Sequence, residues 1–183
     1  MPTRFIGWVA MSTVGFLASA NLLTAQTPQP AAFEDAVLTA EGLVDALYAS
    51  VSFDPGEDPD WDLVRSFFLD EAVMVFATEP ARPAQIMDLD AFIEDFETFY
   101  REANVRELGF HENLQTKHVV TFGNAAHVWT TFAPRVGSDS GEPARRGVDS
   151  INLVRHGGRW WVASINTDFE GPDKQIPEGF PGH

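Results

Sequence analysis

Two acidic residues, Asp149 and Asp168, lie on either side of the pair Gly157-Gly158 near the end of the chain. Each stands in a run rich in β-branched and aromatic residues, and a Gly-Gly pair readily adopts the positive φ angles of a tight hairpin turn. If the two glycines form the loop, Asp149 lies across from Asn166. Because side chains alternate faces along a strand, this register predicts one shared face. Its members are Asp149, Ile151, Leu153, Trp160, Val162, Ser164, Asn166 and Asp168.

Two carboxyl groups on one wall of a partly apolar pocket repel each other's charge, which raises the pKa of one of them. A carboxylate with a raised pKa suits the removal of a proton next to a carbonyl group. The alternative is that Asp149 and Asp168 lie at the solvent-exposed edge of the sheet and pair with Arg146 or with backbone groups. Both interpretations stay open from the sequence.

A second hairpin is predicted from the two β-rich runs on either side of Gly123-Asn124. Its alternation places His118, His127 and Trp129 on one face, which we assign to the core because the opposite face begins with polar residues. The two histidines would be close enough for a metal ion or a proton shuttle. Neither belongs to a metal-ligand motif, so we expect them to line a pocket and predict no metal and no cofactor.

Helical periodicity dominates the first half of the chain. Tyr48 lies on the apolar stripe of the first helical segment, and Asp60 is a suitable N-cap directly before Trp61 in the second. Asp88 or Asp90 caps the third. The predicted helices cover residues 33–51, 61–68 and 88–103, with a short buried strand at 72–77. Helices followed by antiparallel strands indicate an α+β domain, with three N-terminal helices packed on one face of a strongly curved sheet. Such a cone can hold a ligand at its open end.

The composition is that of a globular and strongly acidic protein. The 183 residues include 44% hydrophobic residues and carry a net charge of −15, enough chain for one domain with a hydrophobic core. So much negative charge opposes nucleic acid and anionic membranes, and neither is an expected partner. The chain has no cysteine, which excludes a thiol nucleophile and thiolate metal sites.

Residues 1–25 have the pattern of a secretory signal peptide. Arg4 precedes an apolar run at 5–17, and small residues offer cleavage sites after Ala20 and after Ala25. The apolar run is shorter than the roughly 20 residues that a membrane span needs. We therefore expect the leader to be removed rather than kept as an anchor, which leaves no integral span and a periplasmic or secreted protein.

Three stretches of the sequence resemble the nuclear transport factor 2-like, or SnoaL-like, superfamily. These stretches are LYASVSF with DWDLVRSFFLDEAVMVF, then FGNAAHVWTTF, and then RGVDSINLVRHGGRWWVASI. The resemblance implies the cone fold of ketosteroid isomerase, polyketide cyclases and scytalone dehydratase, with a domain at 33–170 and an irregular tail at 171–183. It also implies that Trp160 and every second residue after it face the cone interior. The superfamily holds enzymes and binding proteins alike, so it does not fix an activity.

We predict an exported protein that binds a small, largely apolar molecule in the cone. One alternative is an isomerase or lyase of the ketosteroid isomerase or polyketide cyclase type, with Asp149 or Asp168 as general base. Another is a homodimeric interaction module that pairs through the outer sheet face. The apolar residues expected on that outer face are Val119, Val128 and Phe132. The predicted ligand-binding residues are Tyr48, Trp61, His118, His127, Trp129, Ser164 and Asn166.

Overall fold

The computed structural model describes residues 30–77, 83–137 and 145–181, so the predicted leader at 1–25 lies outside the described residues. Within these ranges the chain forms helices and one sheet. The helices are α1 (Pro30–Ala36), α2 (Ala40–Ser50), α3 (Trp61–Arg65), α4 (Leu89–Glu102) and α5 (Val105–Leu108). The strands are β1 (Phe68–Phe76), β2 (Gln85–Met87), β3 (Phe110–Phe122), β4 (Ala125–Val136), β5 (Gly147–His156) and β6 (Arg159–Phe169).

The six strands form one curved, open sheet in the order β2-β1-β6-β5-β4-β3. β1 and β6 run parallel, and all other neighbouring strands in this sheet are antiparallel. The inner face of the sheet packs against α2 and α4, and the main hydrophobic core lies between them. The predicted α+β cone fold is therefore confirmed. No helix in the described ranges is long and apolar enough to cross a membrane.

Local capping explains where the helices begin. The first predicted helix, 33–51, is two helices, because the Thr39 side chain accepts a hydrogen bond from the Gly42 amide at 3.0 Å and caps a new start. Asp60 and Asp88 cap α3 and α4 as predicted, through hydrogen bonds of 3.0 Å and 2.9 Å from amides three residues on. The strand predicted at 72–77 corresponds to the second half of the longer β1. The short elements β2 and α5 were not predicted from the sequence.

The β5–β6 hairpin follows the predicted register only near its turn. Gly157 and Gly158 form the loop with φ angles of 62° and 86°, and Leu153 pairs with Val162 as expected. A bulge at 163 then shifts the pairing by one residue, so Asp149 lies opposite Thr167. The predicted pairing of Asp149 with Asn166 is wrong. Because one residue of shift exchanges the two faces of a strand, Ser164, Asn166 and Asp168 lie on the outer face. The inner face instead carries Ile165, Thr167 and Phe169.

The β3–β4 hairpin has the predicted loop and register, but its two faces are exchanged. Val128 and Thr130 are fully buried toward the helices, while His118 is exposed on the outer face with His127 and Trp129. A second bulge lies at 115. It separates Leu114, which pairs with Phe132, from Thr116, which pairs with Thr131. The polar residues at the start of β3 therefore do not show which face is exposed to solvent near the loop. Our assignment of the core face was wrong for this reason.

Candidate functional site

A cavity of about 370 Å³ lies between the inner sheet face and the helices α2 and α4. Its wall is mainly aromatic, and α4 contributes side chains at the three- and four-residue spacing that keeps them on one helix face. Eight phenylalanines line the cavity: Phe68, Phe76, Phe92, Phe96, Phe99, Phe110, Phe132 and Phe169. The aliphatic lining residues are Leu47, Val51, Met74, Pro134 and Ile165, and the polar ones are Tyr48, Asp95, Glu112, Asp149 and Thr167.

Tyr48 and Asp149 form the centre of a buried hydrogen-bond network. The Tyr48 hydroxyl donates to Asp149 Oδ2 at 2.5 Å and lies 2.7 Å from Thr130 Oγ1. Because the phenol gives its one proton to the carboxylate, the Thr130 hydroxyl donates in the second bond. Burial, and then the charge of Asp149, raise the pKa of Tyr48 well above its usual value. Tyr48 is therefore a neutral hydrogen-bond donor.

Asp149 is held on both of its oxygens. Its Oδ1 accepts a hydrogen bond from Thr167 Oγ1 at 2.6 Å, while Oδ2 accepts the bond from Tyr48. Burial raises the pKa of Asp149 to about 6, and the hydrogen bonds from Thr167 and Tyr48 act in the opposite direction. The side chain is therefore mostly ionised at neutral pH and has a pKa within the range of a general base.

Glu112 is a second carboxyl group on the cavity wall, and no motif in the sequence marks it. It lies on β3 beyond the bulge at 115, which turns its side chain to the inner face. Burial, and then the charge of Asp149, raise its pKa to about 8, so the carboxyl is mostly protonated at neutral pH. Among the described residues, none gives the Glu112 side chain a hydrogen bond or an ion pair.

The structure brings only Tyr48 and Asp149 of the predicted site residues to the cavity wall. Trp61 lies beside the cavity in a second aromatic cluster, where its ring stacks on Tyr100 and its Nε1 donates to Glu97 Oε1 at 2.6 Å. The ligand-binding roles predicted for Tyr48 and Trp61 and the catalytic role predicted for Asp149 stay predictions. Thr167 was missed because of the bulge at 163, and Thr130 was missed because the core face of the β3–β4 hairpin was assigned wrongly.

The other predicted residues are on the outer face of the sheet, where several of them contact neighbouring side chains or the C-terminal tail. Asp168 pairs with Lys174 at 2.6 Å, and the Trp129 ring packs edge-on against Phe180 at 5.3 Å. His127 Nε2 lies 2.9 Å from Ser150 Oγ, and Ser164 accepts a hydrogen bond from Asn152 at 3.0 Å. His118 and Asn166 are exposed there.

Arg146 does not pair with either predicted aspartate. Its guanidinium bonds both oxygens of Glu170, at 2.9 Å and 2.7 Å. The described residues contain no group of three or more His, Asp or Glu side chains arranged to hold a metal ion.

Comparison with known proteins shows the fold. No protein-family model matches the sequence, and no curated protein matches it either. A nuclear transport factor 2-like protein of unknown function from Pseudomonas putida KT2440 superposes with a TM-score of 0.56 at 14% identity, covering 79% of this chain and 94% of that one. A protein of unknown function with a cystatin-like fold from Nostoc punctiforme PCC 73102 gives a TM-score of 0.53 at 9% identity, covering 71% and 87%.

A candidate dehydratase of the nuclear transport factor 2-like family, from Streptomyces avermitilis, is a third structural neighbour. It superposes with a TM-score of 0.51 at 18% identity, covering 74% of this chain and 96% of that one. This protein therefore has the nuclear transport factor 2-like fold, as the sequence resemblance implied. At such identities the likeness concerns the fold and not the activity.

Proposed function

We propose that the protein binds a small, largely apolar molecule in the cone cavity. The observation that carries the proposal is the cavity itself, about 370 Å³ lined by eight phenylalanine rings, with the Tyr48–Asp149 pair and Glu112 on its wall. Its size is within the range of small-molecule sites, which combine apolar walls with a few polar groups that orient the ligand.

Binding of a neutral fluorescent probe, N-phenyl-1-naphthylamine, to the parent protein and two matched variants tests the proposal. Phe99 lines the cavity and is 41% exposed, whereas Phe122 is 90% exposed at the end of β3, away from the cavity. Phe99→Ala should weaken probe binding by about three- to tenfold, because it removes part of the apolar contact. Phe122→Ala should leave it unchanged. Equal binding by all three proteins, or no binding by any, would count against the cavity as the site.

A second candidate function is acid–base catalysis by an isomerase or lyase. It is favoured by the raised pKa values of two cavity carboxyl groups, Asp149 at about 6 and Glu112 at about 8. Of the two bases predicted from the sequence, Asp149 lies in the cavity and Asp168 is bonded to Lys174 outside it, so we assign the base to Asp149. The neighbouring Tyr48 hydroxyl is a neutral donor of the kind that stabilises an enolate oxygen.

Conversion of β,γ-unsaturated ketones to their conjugated isomers, followed by ultraviolet absorbance, tests this second function. We expect Asp149→Asn to lower the rate by at least about a hundredfold. Asp168→Asn, the matched control on the outer face, should be as active as the parent protein. A rate that survives Asp149→Asn would remove Asp149 as the base.

We further propose that the protein is exported through the leader at 1–25 and pairs as a homodimer through the outer sheet face. The leader pattern supports export, and the frequency of dimers among proteins that share the resemblance supports pairing. The apolar patch first expected there is wrong, because Val128 and Phe132 are buried in the core and Val119 packs against it. The outer face of β3 instead offers His118 and Val120, the latter 56% exposed.

A further inference from the structure

Among the described residues, the cavity wall carries carboxyl groups and no positively charged side chain. Asp95, Glu112 and Asp149 lie on its wall, and none of its lining residues is Lys, Arg or His. Two arginines precede β5: Arg146 is paired with Glu170, and the Arg145 guanidinium lies over the Phe169 ring, 5.0 Å from its centre. Within the described part of the chain, the charged groups that an anionic ligand would meet on this wall are carboxylates.

We propose that the ligand is a hydrophobic organic cation, an amine whose ammonium group lies between Glu112 and Asp149 while its apolar part fills the aromatic cavity. This inference rests on the proposed binding function and adds the charge of the ligand to it.

The hydrogen-bonding state of the two carboxyl groups supports the inference. Asp149 already accepts hydrogen bonds on both oxygens, from Tyr48 and from Thr167. Glu112 is half-buried on the cavity wall, and its side chain receives no hydrogen bond from any described residue. Its carboxyl oxygens can therefore bond to a ligand in the cavity, and a polar group partly withdrawn from water is stabilised when a ligand supplies a partner. An ammonium group offers up to three N–H donors and the opposite charge.

The aromatic wall favours a cation over a neutral molecule of the same shape. The face of a phenylalanine ring carries partial negative charge and attracts a positive group within about 6 Å. Phe92 and Phe96 lie 4.8 Å apart between ring centres on α4, and Phe132 and Phe169 form an edge-to-face pair at 5.6 Å on the sheet. A cation in this cavity is therefore stabilised by its walls as well as by its two carboxyl groups.

Glu112 also becomes a better partner once a cation is present. Its proton is retained because burial and the charge of Asp149 oppose a second negative charge nearby. A bound ammonium group reverses that repulsion, so Glu112 can release its proton and form an ion pair. A neutral alcohol or ketone would accept a hydrogen bond from the protonated Glu112, but it would have no charge attraction to Asp149.

Three probes of one shape test the charge of the ligand: 4-phenylbutylamine, 4-phenylbutan-1-ol and 4-phenylbutanoate. Each is titrated against the protein saturated with N-phenyl-1-naphthylamine, and displacement is read from the fluorescence. We expect the amine to bind at least about tenfold more tightly than the alcohol, and the carboxylate not to bind. Equal or tighter binding of the alcohol would overturn the cation proposal and leave the binding function standing. A dye that never binds would contradict the binding function itself.

Glu112→Gln keeps the shape of the side chain and removes its charge. In this variant the preference for the amine over the alcohol should fall by about tenfold while the affinity for the alcohol stays the same. Asp168→Asn, on the outer face, is the control and should keep the full preference. If Glu112→Gln does not fold, as judged by its circular dichroism, Asp149→Glu, which keeps the charge, and Asp149→Asn, which removes it, make the same comparison. An unchanged preference after loss of either charge would overturn the inference.

Discussion

The two tyrosines of the chain, Tyr48 and Tyr100, have hydroxyl groups in opposite environments. The Tyr48 hydroxyl is bonded to Asp149 and to Thr130, whereas the Tyr100 hydroxyl is buried without a hydrogen-bond partner among the described residues. Both side chains are almost fully buried. They therefore form a matched pair for measuring how much the cavity network contributes to stability.

Tyr48→Phe should lower the free energy of unfolding by about 1–3 kcal/mol, because it leaves a buried carboxylate with one donor fewer. It should also raise the pKa of Asp149 above about 6, since the lost hydrogen bond favoured the ionised form. Tyr100→Phe should leave the stability unchanged or increase it slightly. Urea unfolding and a carboxyl titration followed by NMR measure both effects. Equal destabilisation by the two variants would contradict the assigned network.

The carboxyl groups of Glu112 and Asp149 also determine a pH dependence of stability. Their pKa values in the folded protein are raised, to about 8 from 4.5 and to about 6 from 3.8, so the folded state binds more protons than the unfolded state between these values. The stability that they contribute is complete below about pH 4 and is lost as the pH rises to about 8. Unfolding in urea across this range should show that loss.

Glu112→Gln isolates the upper part of this pH range. The variant cannot gain a charge at this position, so the decrease in unfolding free energy between pH 6 and pH 8 should be smaller than in the parent protein. Subtracting the unfolding free energy of the variant from that of the parent protein at each pH removes the contribution of the overall acidic charge, which both proteins share. Parallel curves across pH 6–8 would show that Glu112 does not titrate there.

At the scale of elements, close packing of the Phe132 ring against Gly147 positions part of the cavity wall. Gly147 begins β5 opposite Phe132 on β4, and a Cβ added to Gly147 would overlap the Phe132 ring. Phe132 in turn packs on Tyr48 at 6.0 Å between ring centres. The absence of a side chain at 147 therefore fixes the position of a ring that lines the cavity.

Gly147→Ala should lower the unfolding free energy by about 1–3 kcal/mol, because the ring must move within a packed core. It should also weaken binding of the fluorescent probe. Gly171→Ala is the control, since a Cβ there meets no atom within 4 Å and the backbone φ is ordinary. Thermal unfolding followed by circular dichroism compares them. A Gly147→Ala protein as stable as Gly171→Ala would contradict this account of the strand contact.

The elements were largely predictable from the sequence, and the site was not. Apolar spacing, the caps Asp60 and Asp88, and the two hairpin loops depend on residues close in sequence, so their signals are local. The bulges at 115 and 163 have no such signal, and each exchanges the inner and outer faces of half a strand. Asp149 was found because β5 keeps its alternation. Glu112 was missed because a single carboxyl in a β-rich run has no motif that marks it, although the predicted alternation placed it on the assigned core face with His118.

At the scale of the whole molecule, the outer face of the sheet decides whether the proposed homodimer can form. The C-terminal tail covers part of this face, where Phe180 packs on Trp129 and Lys174 pairs with Asp168. The outer face of β3 lies beyond these contacts and exposes Val120. We therefore expect the proposed homodimer to use the β3 side of the sheet.

Native mass spectrometry tests this arrangement. We expect the parent protein to have the mass of two chains, and Val120→Glu to have the mass of one, because two glutamates facing each other repel. Ile86→Glu, at an apolar position on β2 that is 74% exposed at the other edge of the sheet, should remain a dimer. A monomeric parent protein, or a dimeric Val120→Glu, would contradict pairing through this face.

The most direct test of ligand binding in the cone uses the methionine methyl groups. A protein that begins at Gln26 contains two methionines, Met74 on the cavity wall and Met87 on β2 outside it. In ¹³C-methyl NMR spectra, titration with 4-phenylbutylamine should shift the Met74 signal to saturation, and by more than the signal of Met87, its neighbour across the β1–β2 pair. A Met74 signal that does not move, or a shift confined to Met87, would contradict the cone cavity as the binding site.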